Sequence, residues 1–143
     1  MRVILLLLIG FSLLLEADLL RDDTKEVVLD TTTNLMWQDN NETNSTTMNW
    51  SDAINYCESL TLGGYSDWHL PNLNELYSLP NRAKYNPAMD MGFKYLAASV
   101  YWSATTDASD TGFAWYVYFD LGHAHWYHKS NFHYVRCVRA SDN

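Results

Sequence analysis

The chain has 143 residues and a formal net charge of −8 at pH 7, which fits a single acidic domain. The acidic balance disfavours nucleic acid as a partner, because phosphate backbones are repelled at long range. Aromatic residues make up 15% of the chain, and its polar residues are mostly Asn, Thr, Ser and Asp, a composition typical of domains rich in strands and loops.

The first 17 residues have the pattern of a secretory signal peptide. Arg2 gives a short basic start, residues 3–15 are almost entirely apolar, and polarity returns at Glu16. The apolar run is shorter than the roughly 20 residues that a helix needs to span a bilayer. We expect cleavage near Ala17 and export to the periplasm, the cell surface or the medium. An uncleaved membrane anchor is the alternative.

The remaining chain is predicted to form one domain that opens with a hairpin. We expect a linker at 18–26, the domain at 27–140 and a tail at 141–143. Two apolar groups, at 27–29 and 35–37, predict two short strands joined by a Thr-rich turn, in which Asn34 can adopt the left-handed conformation. Segment 39–48 is polar and has no periodicity, so we expect a surface loop there.

A first helix is predicted from Asn49, which can cap it, to about Leu60, with Asp52 at the third helical position. Its apolar positions fall on one face, and they are Trp50, Ile54, Cys57 and Leu60.

A second helix is predicted over residues 73–79. Asn72 can cap it, Glu75 can complete a capping box, and Pro80 stops it. Residues 81–98 then form an irregular segment, in which a helical turn at 93–97 is an option.

The last third of the chain is predicted to form strands. These strands are expected at 100–104, 113–120, 123–128 and 132–139, with a polar loop at 105–112. The fold class that follows is α+β, with two helices packed on a small antiparallel sheet.

The chain has two cysteines, and in an exported protein they most economically form one disulfide, Cys57 to Cys137. Such a bond closes a loop of about 80 residues and stabilises the fold by roughly 4 kcal/mol through chain entropy. Because Val135 and Cys137 share a face of the last predicted strand, the bond would join that strand to the first helix. Two free thiols are the alternative, which requires a reducing compartment.

Five groups of residues stand in a recognisable order along the chain. They are Leu35-Met36-Trp37, then Trp50 with Ala53, Tyr56 and Cys57, then GYSDWHLP at 64–71, Tyr101-Trp102-Ser103, and YVRCVR at 134–139. In this order they resemble the Lcl C-terminal domain-like family over nearly all of residues 27–140. That family is named for the C-terminal domain of a bacterial collagen-like adhesin, and much of it was long filed as a domain of unknown function.

The resemblance implies a C-type lectin-like fold with a disulfide between the first helix and the last strand. It also implies a role similar to that of the namesake domain, an adhesin module that binds sulfated host polysaccharides as a trimer. The chain differs from the family pattern in its strongly acidic charge, at His69, where Arg is usual, and at Asn34, where Gly is usual.

Residues 67–76 also resemble the RLPTxxE turn of formylglycine-generating enzymes, which share the fold and act through a pair of active-site cysteines. The two cysteines of this chain are the expected structural pair. We therefore expect no such enzyme.

A metal site is the sharpest chemical alternative, because four histidines lie near the end of the chain. They are His123, His125, His128 and His133. The side chains of His123 and His125 would point the same way from one strand, a spacing that suits zinc or copper. No motif supplies the third protein ligand that catalytic zinc sites normally have, so we expect a polar strand face and no metal site.

A calcium site is a weaker alternative. Asp107 and Asp110 offer oxygen ligands in the predicted loop at 105–112, where lectin-like domains often bind calcium. Two carboxylates in a flexible loop bind calcium only weakly, and the EPN, QPD and WND patterns of sugar-binding calcium sites are absent. We expect a solvated loop and no bound cofactor.

The aromatic residues of the late strands favour a binding function, because exposed Trp and Tyr give large contact areas at small entropic cost. We predict an exported, non-enzymatic binding module whose partner is a glycan or a protein at the cell envelope or host surface. The candidate ligand residues are Asp107, Asp110, Tyr116, His123, His125 and Trp126. The alternative is a structural or assembly subunit of an envelope complex.

Overall fold

A computed structural model describes residues 19–142 of the chain. Its helices are α1 (Trp50–Ser59) and α2 (Leu73–Tyr77), with a short 3-10 helix at Asn41–Asn44. Its strands are β1 (Leu19–Asp22), β2 (Val27–Asp30), β3 (Leu35–Gln38), β4 (Thr47–Met48), β5 (Val100–Thr106), β6 (Phe113–Tyr118), β7 (His123–His128), β8 (His133–Tyr134) and β9 (Val138–Ala140). The described residues form an α+β domain, as predicted. The expected signal peptide at 1–17 lies outside them.

The strands form two sheets, not the single small sheet that we predicted. The first sheet has the order β1-β2-β3-β9, and all its neighbours are antiparallel. The second sheet has the order β4-β8-β5-β6-β7, with one parallel bridge between Tyr101 and Tyr134. Because β7 stands last in this order, one of its backbone edges pairs with no other strand in residues 19–142.

The hairpin predicted near the start of the domain is confirmed. Strands β2 and β3 pair in antiparallel register, and Asn34 in their turn has a φ of 55°. The segment 18–26, which we expected to be a linker, contains β1, and β1 pairs with β2 along its whole length.

The prediction of a surface loop at 39–48 is wrong in part. The segment contains the 3-10 helix and β4, and it buries the side chains of Asp39 and Thr43. The Thr43 hydroxyl donates to the carbonyl of Asn40 at 2.6 Å, and the Tyr101 hydroxyl donates to the carbonyl of Thr43 at 2.6 Å. Polar groups that find such partners can be buried, which the polar composition of the segment did not indicate.

The helical turn considered at 93–97 does not form. The backbone N–H groups of Lys94 and Tyr95 donate to the carboxylate of Asp39 at 2.8 and 3.0 Å. The N–H of Ala97 donates to the hydroxyl of Tyr101 at 3.0 Å. A helical turn over 93–97 is closed by one bond, from the N–H of Ala97 to the carbonyl of Phe93, and here the Tyr101 hydroxyl accepts from that N–H instead.

Both predicted helices form, with both predicted caps. At α1, the side chain of Asn49 accepts a hydrogen bond from the N–H of Asp52 at 2.9 Å. At α2, Asn72 and Glu75 form a capping box, in which each side chain accepts from the backbone N–H of the other at 2.8 and 2.9 Å. Helix α2 ends at Tyr77, two residues before the predicted end. Within residues 19–142, neither helix has the length and apolar character that a membrane crossing needs.

The predicted disulfide between Cys57 and Cys137 is confirmed, with the two Cα atoms 5.5 Å apart. The single last strand predicted at 132–139 is wrong, because this segment divides into β8 and β9, which belong to different sheets. Cys137 lies between them, and its N–H donates to the side chain of Gln38 at 3.0 Å. The disulfide therefore fastens α1 to the crossing between the sheets.

Two buried clusters hold the domain together. One packs α1 and the disulfide against Trp68 and Trp102, and the other packs Leu76 of α2 against Trp37. Trp37, Trp68 and Trp102 are buried, whereas Trp50, on the predicted apolar face of α1, is half-buried. Since β5 and β6 supply residues to both clusters, the middle of the second sheet is covered on both faces, and its exposed part is β7.

Candidate functional site

Strand β7 and the residues that face it on β6 form the most exposed aromatic region of the second sheet. Five of the six β7 residues are exposed, and Trp126 and Tyr127 keep 40% and 47% of their surface accessible. We call this region the β7 surface, and it consists of Tyr116, Tyr118, His123, His125, Trp126 and Tyr127.

The register of β6 and β7 divides these side chains between two faces. His123 lies opposite Tyr118, and His125 lies opposite Tyr116, on one face of the sheet. Trp126 lies opposite Trp115 on the other face. Side chains alternate along a strand, so a middle strand would keep these two groups apart.

At the open edge of β7, the two faces meet. The His125 ring stacks on the Trp126 ring, with centroids 4.3 Å apart and planes inclined by 11°. The Trp126 ring in turn packs edge to face against Trp115 at 5.1 Å. The His125–Trp126 stack is therefore a continuous, partly exposed aromatic surface that wraps around the strand edge.

His133 lies beneath this surface and supports it. Its ring centroid is 4.5 Å from that of Trp102, 5.6 Å from that of Tyr116 and 6.0 Å from that of Tyr127. Its Nε2 atom is buried and has no hydrogen-bond partner among residues 19–142, and burial lowers the pKa of the ring. His133 is thus a neutral packing group for the tyrosines.

Asp107 and Asp110 build a turn. The almost buried carboxylate of Asp107 accepts a hydrogen bond from the Ser109 hydroxyl at 2.6 Å. The carboxylate of Asp110 accepts one from the N–H of Gly112 at 2.8 Å. Residues 108–112 are exposed, so the loop is solvated as we expected except at Asp107, and its two carboxylates accept hydrogen bonds from groups of the turn itself.

The six predicted ligand residues do not lie together. The structure places Tyr116, His123, His125 and Trp126 on the β7 surface. It places the two aspartates at the far end of the hairpin from His123, beside His128. His123 and His128 are five residues apart, which is about 16 Å along an extended strand. A small ligand could contact one end or the other, but not both.

His123 and His125 lie on the same face of β7, as predicted. In the described part of the chain, no group of three or more His, Cys, Asp or Glu side chains is placed to hold a metal ion. The pair offers two imidazoles, fewer than the three protein ligands of typical catalytic zinc sites.

The turn at 64–71 serves the structure through two ion pairs. Arg139 donates to both carboxylate oxygens of Asp67 at 2.6 and 3.1 Å, and this bond lowers the pKa of Asp67. Nε2 of His69 lies 3.2 Å from the carboxylate of Glu75, and this hydrogen bond raises the pKa of His69. Both carboxylates have charged partners that fix the turn and the start of α2.

Residues 26–139 match the family model of the Lcl C-terminal domain. The chain belongs to the Lcl C-terminal domain family. The family identification from the sequence motifs is thus confirmed. No curated protein matches the chain.

This Lcl C-terminal domain also has an exposed group of side chains that the sequence did not indicate. Tyr77, Tyr85 and Leu121 expose 39%, 77% and 49% of their surface, and the guanidinium of Arg82 lies 3.8 Å from the ring centroid of Tyr77. We call this group the Arg82 cluster. The sequence does show an arginine between two tyrosines, Tyr77 and Tyr85, in an acidic chain. Nothing in the irregular segment 81–98 indicated that this arginine lies beside the β6–β7 turn.

Proposed function

We propose that this domain is an exported, non-enzymatic binding module with a C-type lectin-like fold, and that its β7 surface binds a glycan or protein ligand at the cell envelope or host surface. The fold proposal rests on family membership and on the disulfide between α1 and the segment before β9. The disulfide also fits an oxidising compartment outside the cytoplasm.

The observation that carries the proposal is the exposed His125–Trp126 stack at the edge of the second sheet. A flat aromatic surface with a polar ring nitrogen beside it suits a sugar ring, which has apolar C–H faces and a hydroxyl rim. The rings are fixed by Trp115 and by the strand, so binding would cost little side-chain entropy.

The functional groups elsewhere support a binding role over a catalytic one. Asp67 and Glu75 are engaged in ion pairs and capping. The two cysteines that a formylglycine-generating mechanism would need as thiols are joined in a buried disulfide. On the β7 surface, the exposed side chains are aromatic rings and imidazoles, which recognise ligands by contact.

A glycan array with the exported chain tests the proposal. We expect binding to at least one glycan, and a loss of about tenfold or more in affinity when both Trp126 and His125 are replaced by Ala, since hot-spot aromatics typically contribute 2 kcal/mol or more. The matched control is Leu20→Ala, which removes another exposed apolar side chain, on the first sheet. Unchanged affinity of the double variant in a well-folded state would refute the assignment of the surface.

A structural or assembly role is the second candidate, and the open edge of β7 favours it. A partner chain could add a strand there by main-chain hydrogen bonds. Pulldown from an envelope extract, with Ala124→Pro as the variant, would detect such a partner. A proline in β7 should abolish strand addition and leave stacking on Trp126 largely intact. If the wild type and Ala124→Pro capture the same partner equally well, strand addition at β7 is excluded.

A further inference from the structure

Arg82 is exposed and lacks an anionic partner. Of the four arginines in residues 19–142, the other three form ion pairs with carboxylates, while Arg82 forms no ion pair or hydrogen bond with any described residue. Its guanidinium stacks on Tyr77. The side chain of Arg82 is exposed, so its N–H donors face solvent. Arginine also keeps its positive charge at every pH at which proteins are folded.

The side chain of Arg82 is held from two sides. The guanidinium stacks on the Tyr77 ring, and the aliphatic stem packs over Gly122, where an added Cβ would meet Cγ of Arg82 at 3.2 Å. Gly122 has a φ of +81° and lies in the turn between β6 and β7. The stem therefore rests on backbone that only glycine leaves open, and the guanidinium is pre-positioned for a ligand.

The Arg82 cluster lies beside the turn at which β7 begins. The N–H of Asn86 donates to the carbonyl of Asp120 at 2.8 Å, which places Tyr85 next to the β6–β7 turn. His123 begins β7 one residue after Gly122. A ligand that contacts His123 is thus within reach of the Arg82 cluster.

Two carboxylates lie near Arg82, and each has its own hydrogen-bond partners. Asp90 pairs with Lys84 at 2.9 Å and accepts from the side chain of Asn81 at 2.8 Å, and these bonds lower its pKa. Asp30 accepts from the N–H groups of two threonines in the β2–β3 turn. Asp30, Asn81 and Asp90 line, with Arg82, a cleft of about 250 Å³. Drug-sized ligands occupy roughly 300 to 1,000 Å³, so this cleft suits one small group of a ligand.

We propose that Arg82, stacked on Tyr77 beside the β6–β7 turn, binds the carboxylate of an acidic sugar, such as a uronic or sialic acid, at the end of a glycan held by the β7 surface. The proposal rests on the glycan-binding function proposed above and names its ligand class. The planar fork of arginine matches a carboxylate with two parallel hydrogen bonds, and Tyr85 offers an exposed ring for the sugar.

The net charge of the protein favours one carboxylate over a polyanion. A chain of charge −8 repels a densely sulfated polymer at every approach, whereas a single carboxylate meets one local cation. Binding should therefore weaken only modestly with added salt, because one ion pair is formed.

Calorimetric titration of the exported chain tests the proposal with three probes: methyl glucuronide, methyl sialoside and the neutral methyl glucoside. We expect one of the acidic sugars to bind about tenfold or more tightly than the glucoside, and Arg82→Gln to remove that preference, since hydrogen bonds to charged groups contribute about 1.5 to 3 kcal/mol. Which acidic sugar binds distinguishes a uronic from a sialic ligand. Arg82→Lys should recover only part of the preference, because an ammonium cannot bind bidentately.

The matched control is Lys25→Gln, which removes another exposed cation that lies over a tyrosine ring, in the turn between β1 and β2. It should keep the preference for the acidic sugar. Equal binding of acidic and neutral sugars, no binding of either acid, or an unchanged preference in Arg82→Gln would overturn the proposal. If neutral glycans bind and are lost only in the Trp126 and His125 double variant, the function proposed for the β7 surface stands and the acidic ligand class does not.

Discussion

Asp39 shows how one buried carboxylate can organise distant parts of the chain. It accepts hydrogen bonds from Arg21 at 2.6 Å, from Arg136 at 3.1 Å and from the N–H groups of Lys94 and Tyr95. Both Asp39 and Arg136 are buried. The pair therefore joins the first sheet, the irregular segment and the crossing between the sheets.

We predict that Asp39→Ala destabilises the domain by about 3 to 5 kcal/mol, because it leaves the buried guanidinium of Arg136 uncompensated. Asp23→Ala is the control, since that carboxylate is exposed and its ion pair with Arg21 is a surface contact. Urea unfolding measures both. A loss below about 1 kcal/mol for Asp39→Ala would show that water or a neighbour replaces the carboxylate.

A second prediction concerns His69, whose pKa is raised by its hydrogen bond to Glu75 although burial opposes the shift. A histidine whose pKa is higher in the folded state than in the unfolded state stabilises the fold. The stabilisation is complete below the pKa of the unfolded state, near 6.5, and it is lost as the pH rises through the pKa of the folded state. The free energy of unfolding should therefore fall as the pH rises above about 6.5.

The measurement is urea unfolding of the wild type and His69→Gln across that pH range. The variant should show a shallower fall. His133, whose pKa is lowered by burial, acts mainly below pH 6.5, where the unfolded ring takes up a proton first. Parallel pH curves for the two proteins would contradict the role of His69.

Among the secondary-structure elements, helix α2 has only five residues, and a capping box fixes its first turn. Such a helix is too short to be stable alone, so its start must be fixed by Asn72 and Glu75 and its side chains by the core. We predict that Asn72→Ala costs about 1 kcal/mol in thermal or urea unfolding. Asn74→Ala, at an exposed position inside the same helix, should be neutral or slightly stabilising. A neutral Asn72→Ala would mean that packing alone fixes the helix start.

The elements that sequence reasoning predicted correctly are those with local causes. Caps at Asn49 and Asn72 and the turn at Asn34 depend on residues three or four positions apart. The errors have distant causes. The polar segment 39–48 is partly buried because Tyr101 and Arg136 reach it, and the irregular segment 93–97 is held by Asp39 through the N–H groups of Lys94 and Tyr95.

The candidate site follows the same division. The sequence predicted a polar strand face and exposed aromatic residues on the late strands, but not that the rings of His125 and Trp126 would stack around an open edge. Arg82 could not be assigned from sequence, since its neighbour across the turn, Gly122, is 40 positions away. Pairing of residues far apart in sequence is set by tertiary packing, which local patterns do not contain.

At the scale of the whole molecule, the disulfide between Cys57 and Cys137 closes a loop with a sequence separation of 80. We predict that replacing both cysteines by Ala lowers the free energy of unfolding by about 4 kcal/mol, because the unfolded chain gains loop entropy. Urea unfolding under non-reducing conditions measures the loss. Titration of thiols in the unfolded wild type is the control, and it should find none in residues 19–142.

The family, the α+β class, both helices with their caps and the disulfide were predicted correctly from the amino-acid sequence. These follow from short-range spacings and from the count of cysteines. The division of the strands into two sheets, the open edge of β7 and the position of Arg82 beside the β6–β7 turn became known from the three-dimensional structure. The physical reason is that sheet order and burial depend on which distant groups satisfy each other's hydrogen bonds, as Asp39 does for Arg136.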